Sequence, residues 1–202
     1  MAYEHTVFLS YSRRLEVADD GRQEMGAAGE WVHDVLHPHL VRWLPEFLPG
    51  ATVAFDGGLD QGARSEPHLK RLHGRSRCML AVWSAAYFLS DWCRSEWHSM
   101  RRREPDGVEL TIPIVFAGLE YFDPEAKTRC RSRDVHRMAP FTTLGRECKK
   151  NADYPKFKKE IRRLCGVIRD CANRAPAWRK DFPWETVEGL APSPIPLATH
   201  RS

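Results

Sequence analysis

The sequence lacks the patterns that would assign it to several large classes of protein. No run of about 18 apolar residues is present, which excludes a helix that spans a membrane. The N-terminal stretch MAYEHTVFLS has no basic segment followed by an apolar one, so we expect no secretory signal. The net charge is only +4 and the arginines are widely spread, which argues against a nucleic-acid partner. These absences predict a cytoplasmic protein.

Cysteine and histidine are present, but not in metal-binding spacings. The six cysteines form no CxxC pair, and the nine histidines form no HExxH pattern. Without an export signal, the cysteines are expected to be reduced thiols. A zinc site built from Cys148, Cys165, Cys171 and a histidine is the alternative, and the irregular spacing disfavours it. We therefore expect neither a metal nor a bound cofactor.

Short apolar runs alternate with segments of helical period along most of the chain. Strands are predicted at HTVFLSYS, ATVAFD, CMLAVWS and TIPIVFAGL, with a short fifth strand near residues 139–144. Helices are predicted over residues 30–48 (interrupted at Pro38 and Pro45), 68–76, 90–103 and 154–172. This alternation predicts an α/β fold, a flavodoxin-like open parallel five-stranded sheet with helices on both faces.

The predicted domain covers residues 1–172, and residues 173–202 are expected to be a Pro-rich C-terminal tail or linker. Open parallel sheets bind ligands at the carboxyl ends of their strands. The helix over residues 90–103 begins at that edge, with Ser90 as its expected N-cap. A core stripe of Cys93, Trp97 and Met100 would place Glu96 on an outward-looking face.

Glu96 is unusual for a surface glutamate. Its neighbours at helical spacing are Trp92, Cys93, Ser99 and Met100, and none is basic, so the usual i,i+4 ion pair does not explain it. A solvated glutamate on the polar edge of the helix is the ordinary interpretation. Its place at the ligand-binding edge of the sheet favours a functional carboxylate instead.

Three motifs follow one another on the predicted elements: VFLSYSRR, FDGGLDQG and SAAYFLSDWCRSEW. Together they resemble the Toll/interleukin-1 receptor (TIR) domain over roughly residues 5–172. The S-x-W-C-x-x-E pattern that ends in Glu96 is similar to TIR domains that cleave NAD⁺, in which this glutamate is catalytic. The resemblance implies that NAD⁺ is a substrate, that nicotinamide and ADP-ribose or a cyclic isomer are the products, and that the setting is immune or anti-phage signalling.

A single carboxylate is sufficient for this chemistry. Nicotinamide leaves NAD⁺ as a neutral base, so no general acid is required, and one anion can stabilise the oxocarbenium ion that develops. The substrate-binding residues that the resemblance implies are Phe8, Ser10, Tyr11, Arg13 and Trp92. Core packing for Phe8, turn chemistry for Tyr11 and Arg13, and loop packing for Trp92 are the structural alternatives. A nucleophilic role for Cys93 lacks a basic partner.

The glycine-rich loop after the second strand is expected to mediate self-association. Its residues of interest are Gly57, Gly58, Leu59, Asp60, Gly62 and Arg64. In enzymatic relatives the corresponding loop packs against the next copy and completes the cleft. The resemblance therefore implies other TIR domains as partners, together with a separate sensor or effector chain.

Two other functions remain as alternatives. The chain could be a non-catalytic TIR module that recruits other TIR domains, but the S-x-W-C-x-x-E setting of Glu96 favours an enzyme. A flavodoxin-like receiver or nucleotide-binding domain is disfavoured because the sequence lacks the acidic cluster of receivers and has no P-loop.

Overall fold

The protein is described by a computed structural model over residues 2–13, 15–17, 23–56, 66–122, 124–132 and 134–186. Its strands are β1 (His5–Tyr11), β2 (Leu15–Val17), β3 (Gln23–Met25), β4 (Val53–Phe55), β5 (Ser76–Trp83) and β6 (Thr111–Val115). Within the described residues, β4, β1, β5 and β6 form a parallel sheet in that order, and β2 and β3 form a separate antiparallel pair.

The two central strands explain why the sheet forms where the sequence predicts it. β1 and β5 are buried along almost their whole length, as expected for strands covered on both faces. Their register pairs Phe8 with Met79 and Ser10 with Ala81, so these side chains share one face of the sheet. In the sheet, β4 lies on one side of β1 and β5 lies on the other. The chain runs from β1 to β4 and then crosses over β1 to β5, and this change of direction places a crevice at the carboxyl end of β1.

The helices are α1 (Ala27–Trp31), α2 (His37–Phe47), α3 (Glu66–Gly74), α4 (Ala85–Leu89), α5 (Asp91–Arg101), α6 (Pro124–Ser132) and α7 (Tyr154–Asn173). A π-helical segment, Val32–Leu36, joins α1 to α2 without a gap. The sequence predicts an interruption at Pro38, and the structure has this wider turn just before that residue. Proline cannot donate the backbone hydrogen bond of a regular helix, which accounts for the irregularity. Within the described residues, no helix is both long enough and apolar enough to cross a membrane.

Helices cover both faces of the sheet. On one face, His73 of α3 meets the ring of Phe8 edge-on at 5.8 Å, and Trp97 of α5 meets Trp83 at 5.1 Å. Successive side chains of a strand point to opposite faces, so Tyr11 faces the other way, where its ring lies 5.7 Å from that of His33. This arrangement confirms the predicted α/β fold class.

The predicted fifth strand is wrong. Residues Asp134–Phe141 form a 3₁₀ helix, so the sheet has four strands over the part of the chain that is described. Pro140 lies inside the segment and has no N–H to give to a strand ladder. The carbonyl oxygen of Phe141 instead accepts a hydrogen bond from Trp31 Nε1 at 2.8 Å. Both features prevent this segment from extending the sheet beyond β6.

Residues 174–186, which we call the C-terminal strap, run back across the domain after α7. Tyr3 Oη donates to the carbonyl oxygen of Pro176 at 2.9 Å, and Trp178 Nε1 donates to that of Gly74 at 3.2 Å. The division between a domain ending at residue 172 and a tail stays a prediction.

Candidate functional site

Helix α5 carries Glu96 and is fixed at its start and along one side. Ser90 caps it, because its Oγ accepts a hydrogen bond from the backbone N–H of Cys93 at 3.4 Å. Cys93, Trp97 and Met100 are buried, as the predicted core stripe requires. These contacts set the rotation of the helix about its own axis and therefore the direction of the Glu96 side chain.

Glu96 lies in the interior, and the predicted outward-looking face is wrong for this residue. Only 1% of Glu96 is exposed, and its Oε2 accepts a hydrogen bond from Ser10 Oγ at 2.5 Å. The sequence misleads here because Ser95 and Ser99, which resemble a polar outer face, are themselves buried. The structure therefore brings together two predicted site residues, Glu96 and Ser10, from separate elements.

Tyr87 extends this contact into a chain of hydrogen bonds. Its hydroxyl lies 2.9 Å from Ser10 Oγ. An ionised carboxylate can only accept, so Ser10 donates to Glu96 and Tyr87 donates to Ser10. Burial, followed by the nearby Cys93 and Glu96, raises the pKa of Tyr87 well above its usual 10.0. The Tyr87 phenol thus keeps its proton, and the chain of hydrogen bonds holds the Glu96 carboxylate in one orientation.

Tyr11 and Arg13 belong to a different group at the end of β1. Tyr11 Oη lies 2.8 Å from His33 Nε2, and the Arg13 guanidinium pairs with Asp56 at 2.9 Å and lies 5.7 Å from the centre of the Tyr11 ring. The ring of Phe55 stacks on Tyr11 at 5.7 Å. These predicted substrate-binding residues therefore form a cluster with Asp56, apart from the Ser10–Glu96 pair.

The remaining predicted residues lie in two kinds of place. Phe8 is buried against His73, and Trp92 is half-buried on the first turn of α5. The residues of the predicted self-association loop lie outside the described residues: Gly57, Gly58, Leu59, Asp60, Gly62 and Arg64.

A cavity of about 440 Å³ opens at the carboxyl ends of β1, β5 and β6. It is lined by Ser12, residues 26–28, residues 84–86, residues 116–118, Glu120 and Tyr121. Tyr121 is 58% exposed, while Ser12 and Ser84 are buried. The sequence predicts a strand over residues 111–119, whereas β6 ends at Val115, so the aromatic wall of this cavity was not predicted.

Helix α4 connects the cavity to Glu96. Ser84 lines the cavity and caps α4, accepting a hydrogen bond from the backbone N–H of Tyr87 at 3.2 Å. Tyr87, one turn later, reaches Ser10 and so the carboxylate. Ser10 on β1 and Ser12 just after it are two residues apart, a separation of about 7 Å. Ser84, Tyr87 and Ser10 therefore link the lining of this cavity to the buried glutamate, which is not itself one of the lining residues.

The Glu96 carboxylate is a group that can stabilise positive charge developing on a ligand. The Ser10 and Tyr87 hydroxyls fix the carboxylate of Glu96 without adding a charge of their own. Among the described residues, no group of three or more His, Cys, Asp and Glu is arranged to hold a metal ion. All six cysteines are buried thiols, and burial raises the pKa of Cys130 and of Cys165 to about 12. Those two thiols are therefore poor nucleophiles at neutral pH.

Comparisons with known proteins agree with this description. The family model of the TIR domain matches residues 7–144, a range that includes most of β1, all of α5 and the whole cavity lining. No curated protein matches the chain. A solved structure of the TIR domains of the activated Roq1 resistosome, directly recognizing the pathogen effector XopQ, is similar at 20% identity, with a TM-score of 0.38. That match covers 85% of this chain and 86% of the other.

Proposed function

Because this chain belongs to the TIR domain family, we propose that it cleaves NAD⁺ and that Glu96 is its catalytic carboxylate. The observation that carries the proposal is the burial of Glu96 beside Ser10 at the ligand-binding edge of the sheet. Burying an ionisable carboxylate destabilises a fold unless it is compensated, and such groups in clefts are candidate functional residues. The S-x-W-C-x-x-E setting supports the same assignment.

The proposed reaction breaks the bond between ribose C1′ and the nicotinamide nitrogen. The bonding electrons leave with nicotinamide, which becomes neutral, and positive charge develops on the ribose. Glu96 stabilises that charge, and its fixed orientation avoids reorganisation during the reaction. Water then adds to C1′ and loses a proton to give ADP-ribose. Attack by a nitrogen of the adenine instead of water gives a cyclic isomer.

We assign this cavity, which Ser84, Tyr87 and Ser10 link to Glu96, to the rest of the dinucleotide. Its volume of about 440 Å³ falls within the usual range for small-molecule sites. Phe116 and the exposed ring of Tyr121 offer apolar surface to a planar base, and the Ser12 and Ser84 hydroxyls can bind ribose or phosphate oxygens. The half-buried Trp92 is the candidate that covers the nicotinamide side.

Activation by self-association through residues 57–64 stays a prediction. The loop follows Asp56 directly, and Asp56 pairs with Arg13 at the end of β1. A copy docked on this loop would thus lie near the Tyr11–Arg13 cluster. The proposed setting is immune or antiviral signalling, with a separate sensor or effector chain as partner.

The test is the consumption of NAD⁺ by Glu96→Gln and wild-type protein, with nicotinamide and ADP-ribose separated by chromatography. Loss of an electrostatic stabiliser typically lowers the rate by about 10²–10³-fold, and we expect that loss here. Glu147→Gln is the matched control, because Glu147 is an exposed glutamate paired only with Lys150 among the described contacts. Equal activity of Glu96→Gln and wild type would reject the assignment.

The assay should be run over a range of enzyme concentrations, with light scattering recorded on the same samples. A specific activity that rises with assembly supports the predicted self-association. Assembly without any consumption of NAD⁺ would favour the alternative, a non-catalytic TIR module that recruits other TIR domains.

A further inference from the structure

The C-terminal strap lies outside the residues that the family model matches, yet aromatic side chains fasten it to the domain. Trp178 lies under the Arg75 guanidinium at 5.0 Å, and Phe182 lies under that of Arg103 at 4.1 Å. Trp184 meets His73 edge-on at 5.4 Å. These contacts fall at intervals along residues 178–184, so the strap follows one path across α3 towards α5.

At Glu185 the strap contacts α5 on both sides of Glu96, just before it and one turn after it. Ser95 Oγ donates a hydrogen bond to the carbonyl oxygen of Glu185, and the backbone N–H of Glu185 donates to Ser99 Oγ at 2.7 Å. The Glu185 carboxylate also pairs with Arg102 at the end of α5. Ser95 precedes Glu96 and Ser99 follows it by one turn, so one strap residue brackets the candidate catalytic glutamate.

A second layer of contacts runs from the strap to β1. Trp184 covers His73, which is 1% exposed, and His73 in turn packs on Phe8. Phe8 and Ser10 point to the same face of β1. The strap therefore reaches two elements. Through His73 and Phe8 it reaches β1, and through Ser95 and Ser99 it contacts α5, the helix that carries Glu96.

We propose that the strap is a positioning element for Glu96, with Glu185 and Trp184 as the positioning residues. Helix α5 is only 11 residues long, and on its sheet side Cys93, Trp97 and Met100 are buried and Glu96 bonds to Ser10. Side chains extend about 5–6 Å from a helix axis, so a rotation of about 10° displaces the Glu96 carboxylate by ~1 Å. A displacement of that size can lower a rate by about 10²-fold.

The experiment compares Glu185→Pro with Glu185→Ala. Proline removes the N–H that bonds to Ser99, whereas alanine keeps this N–H and removes only the side chain paired with Arg102. Ser99→Ala removes the same bond from the helix side, so the result does not depend on how the strap accommodates proline. Arg179→Ala is the control within the strap, because Arg179 is exposed and pairs with the exposed Asp181.

Two readouts are needed, amide hydrogen exchange over residues 91–101 without NAD⁺, and the separate values of kcat and KM. We expect Glu185→Pro and Ser99→Ala to speed exchange in α5 but not in α7, and to lower kcat by about 10- to 100-fold with KM little changed. Glu185→Ala should have a smaller effect than Glu185→Pro. Unchanged exchange in α5, or faster exchange with an unaltered kcat, would overturn the proposal.

The activity readout rests on the proposed function, but the exchange readout does not. A wild-type protein that consumes no NAD⁺ would refute the proposed function, and exchange alone would then decide whether the strap fixes α5.

Discussion

At the scale of single residues, Gly118 shapes the cavity at the carboxyl ends of β1, β5 and β6. Its φ of 73° lies in the left-handed region, which residues with a side chain rarely adopt. An added Cβ would also lie 3.3 Å from the Tyr121 ring and 3.4 Å from the backbone nitrogen of Ala85. Both neighbours line the cavity, so the absence of a side chain at this position keeps the aromatic wall in place.

We expect Gly118→Ala to disturb that wall and weaken NAD⁺ binding by up to about tenfold, equivalent to ~1.4 kcal/mol. Strain at the positive φ adds a loss of stability of about 1–2 kcal/mol. Steady-state kinetics should show an increased KM. Gly145→Ala is the matched control, since nothing lies within 4 Å of a Cβ added there. The same KM in both glycine variants would exclude a role of this cavity in binding.

At the scale of elements, α5 depends on Trp97 for its packing on the sheet. Trp97 is 2% exposed and contacts the rings of Trp83 at 5.1 Å and Phe88 at 5.7 Å. Trp97→Ala should lower the free energy of unfolding by about 3–5 kcal/mol, as large aromatic truncations do in cores. Trp92→Ala is the comparison on the same helix, and its half-buried ring should give a smaller loss. Urea unfolding of both variants decides the matter, and equal losses would contradict this view of the helix.

The elements also show what local pattern can and cannot predict. β1, β5 and α5 were predictable because apolar runs, helical period and an N-cap serine are properties of neighbouring residues. The burial of Glu96 was not, since its carboxylate lies against Ser10, 86 positions away, and the neighbouring Ser95 and Ser99 are covered by Glu185. The sequence of the strap shows neither the helical period nor the alternation of a strand. Its anchors are isolated aromatic residues in Pro-rich sequence. Pro140, by contrast, is visible in the sequence and argues against a fifth strand, because proline has no N–H to donate to a strand ladder.

At the scale of the whole molecule, buried histidines make stability depend on pH. Burial, followed by the nearby Arg103, lowers the pKa of His73 well below its usual 6.5, and burial also lowers the pKa of His39. The folded protein therefore binds fewer protons than the unfolded chain when the pH is below about 6.5. This stability is fully present above the unfolded pKa of about 6.5 and is lost progressively as the pH falls from there through the lowered pKa of the folded state.

We expect the free energy of unfolding to fall below pH 6.5 by up to about 1.4 kcal/mol per pH unit for each such histidine. His73→Gln should reduce this slope, because glutamine does not titrate. Urea unfolding between pH 7.5 and pH 5 measures the slope, and the same slope in both proteins would rule out His73 as a cause. His68→Gln is the comparison variant, because His68 lies on the same helix, α3, and the slope of each variant is compared with that of the wild type.

The path of the strap has a mechanical consequence. Tyr3, just before β1, bonds to Pro176, so the two ends of the folded core meet at one place on its surface. Glu185, later in the strap, bonds to Ser95 and Ser99 of α5, the helix that carries Glu96. A pull that reaches residue 186 along the chain is therefore borne first by α5 and only afterwards by α7 or the sheet. Tension from anything attached at that end would act on the candidate catalytic carboxylate before it unfolded the domain.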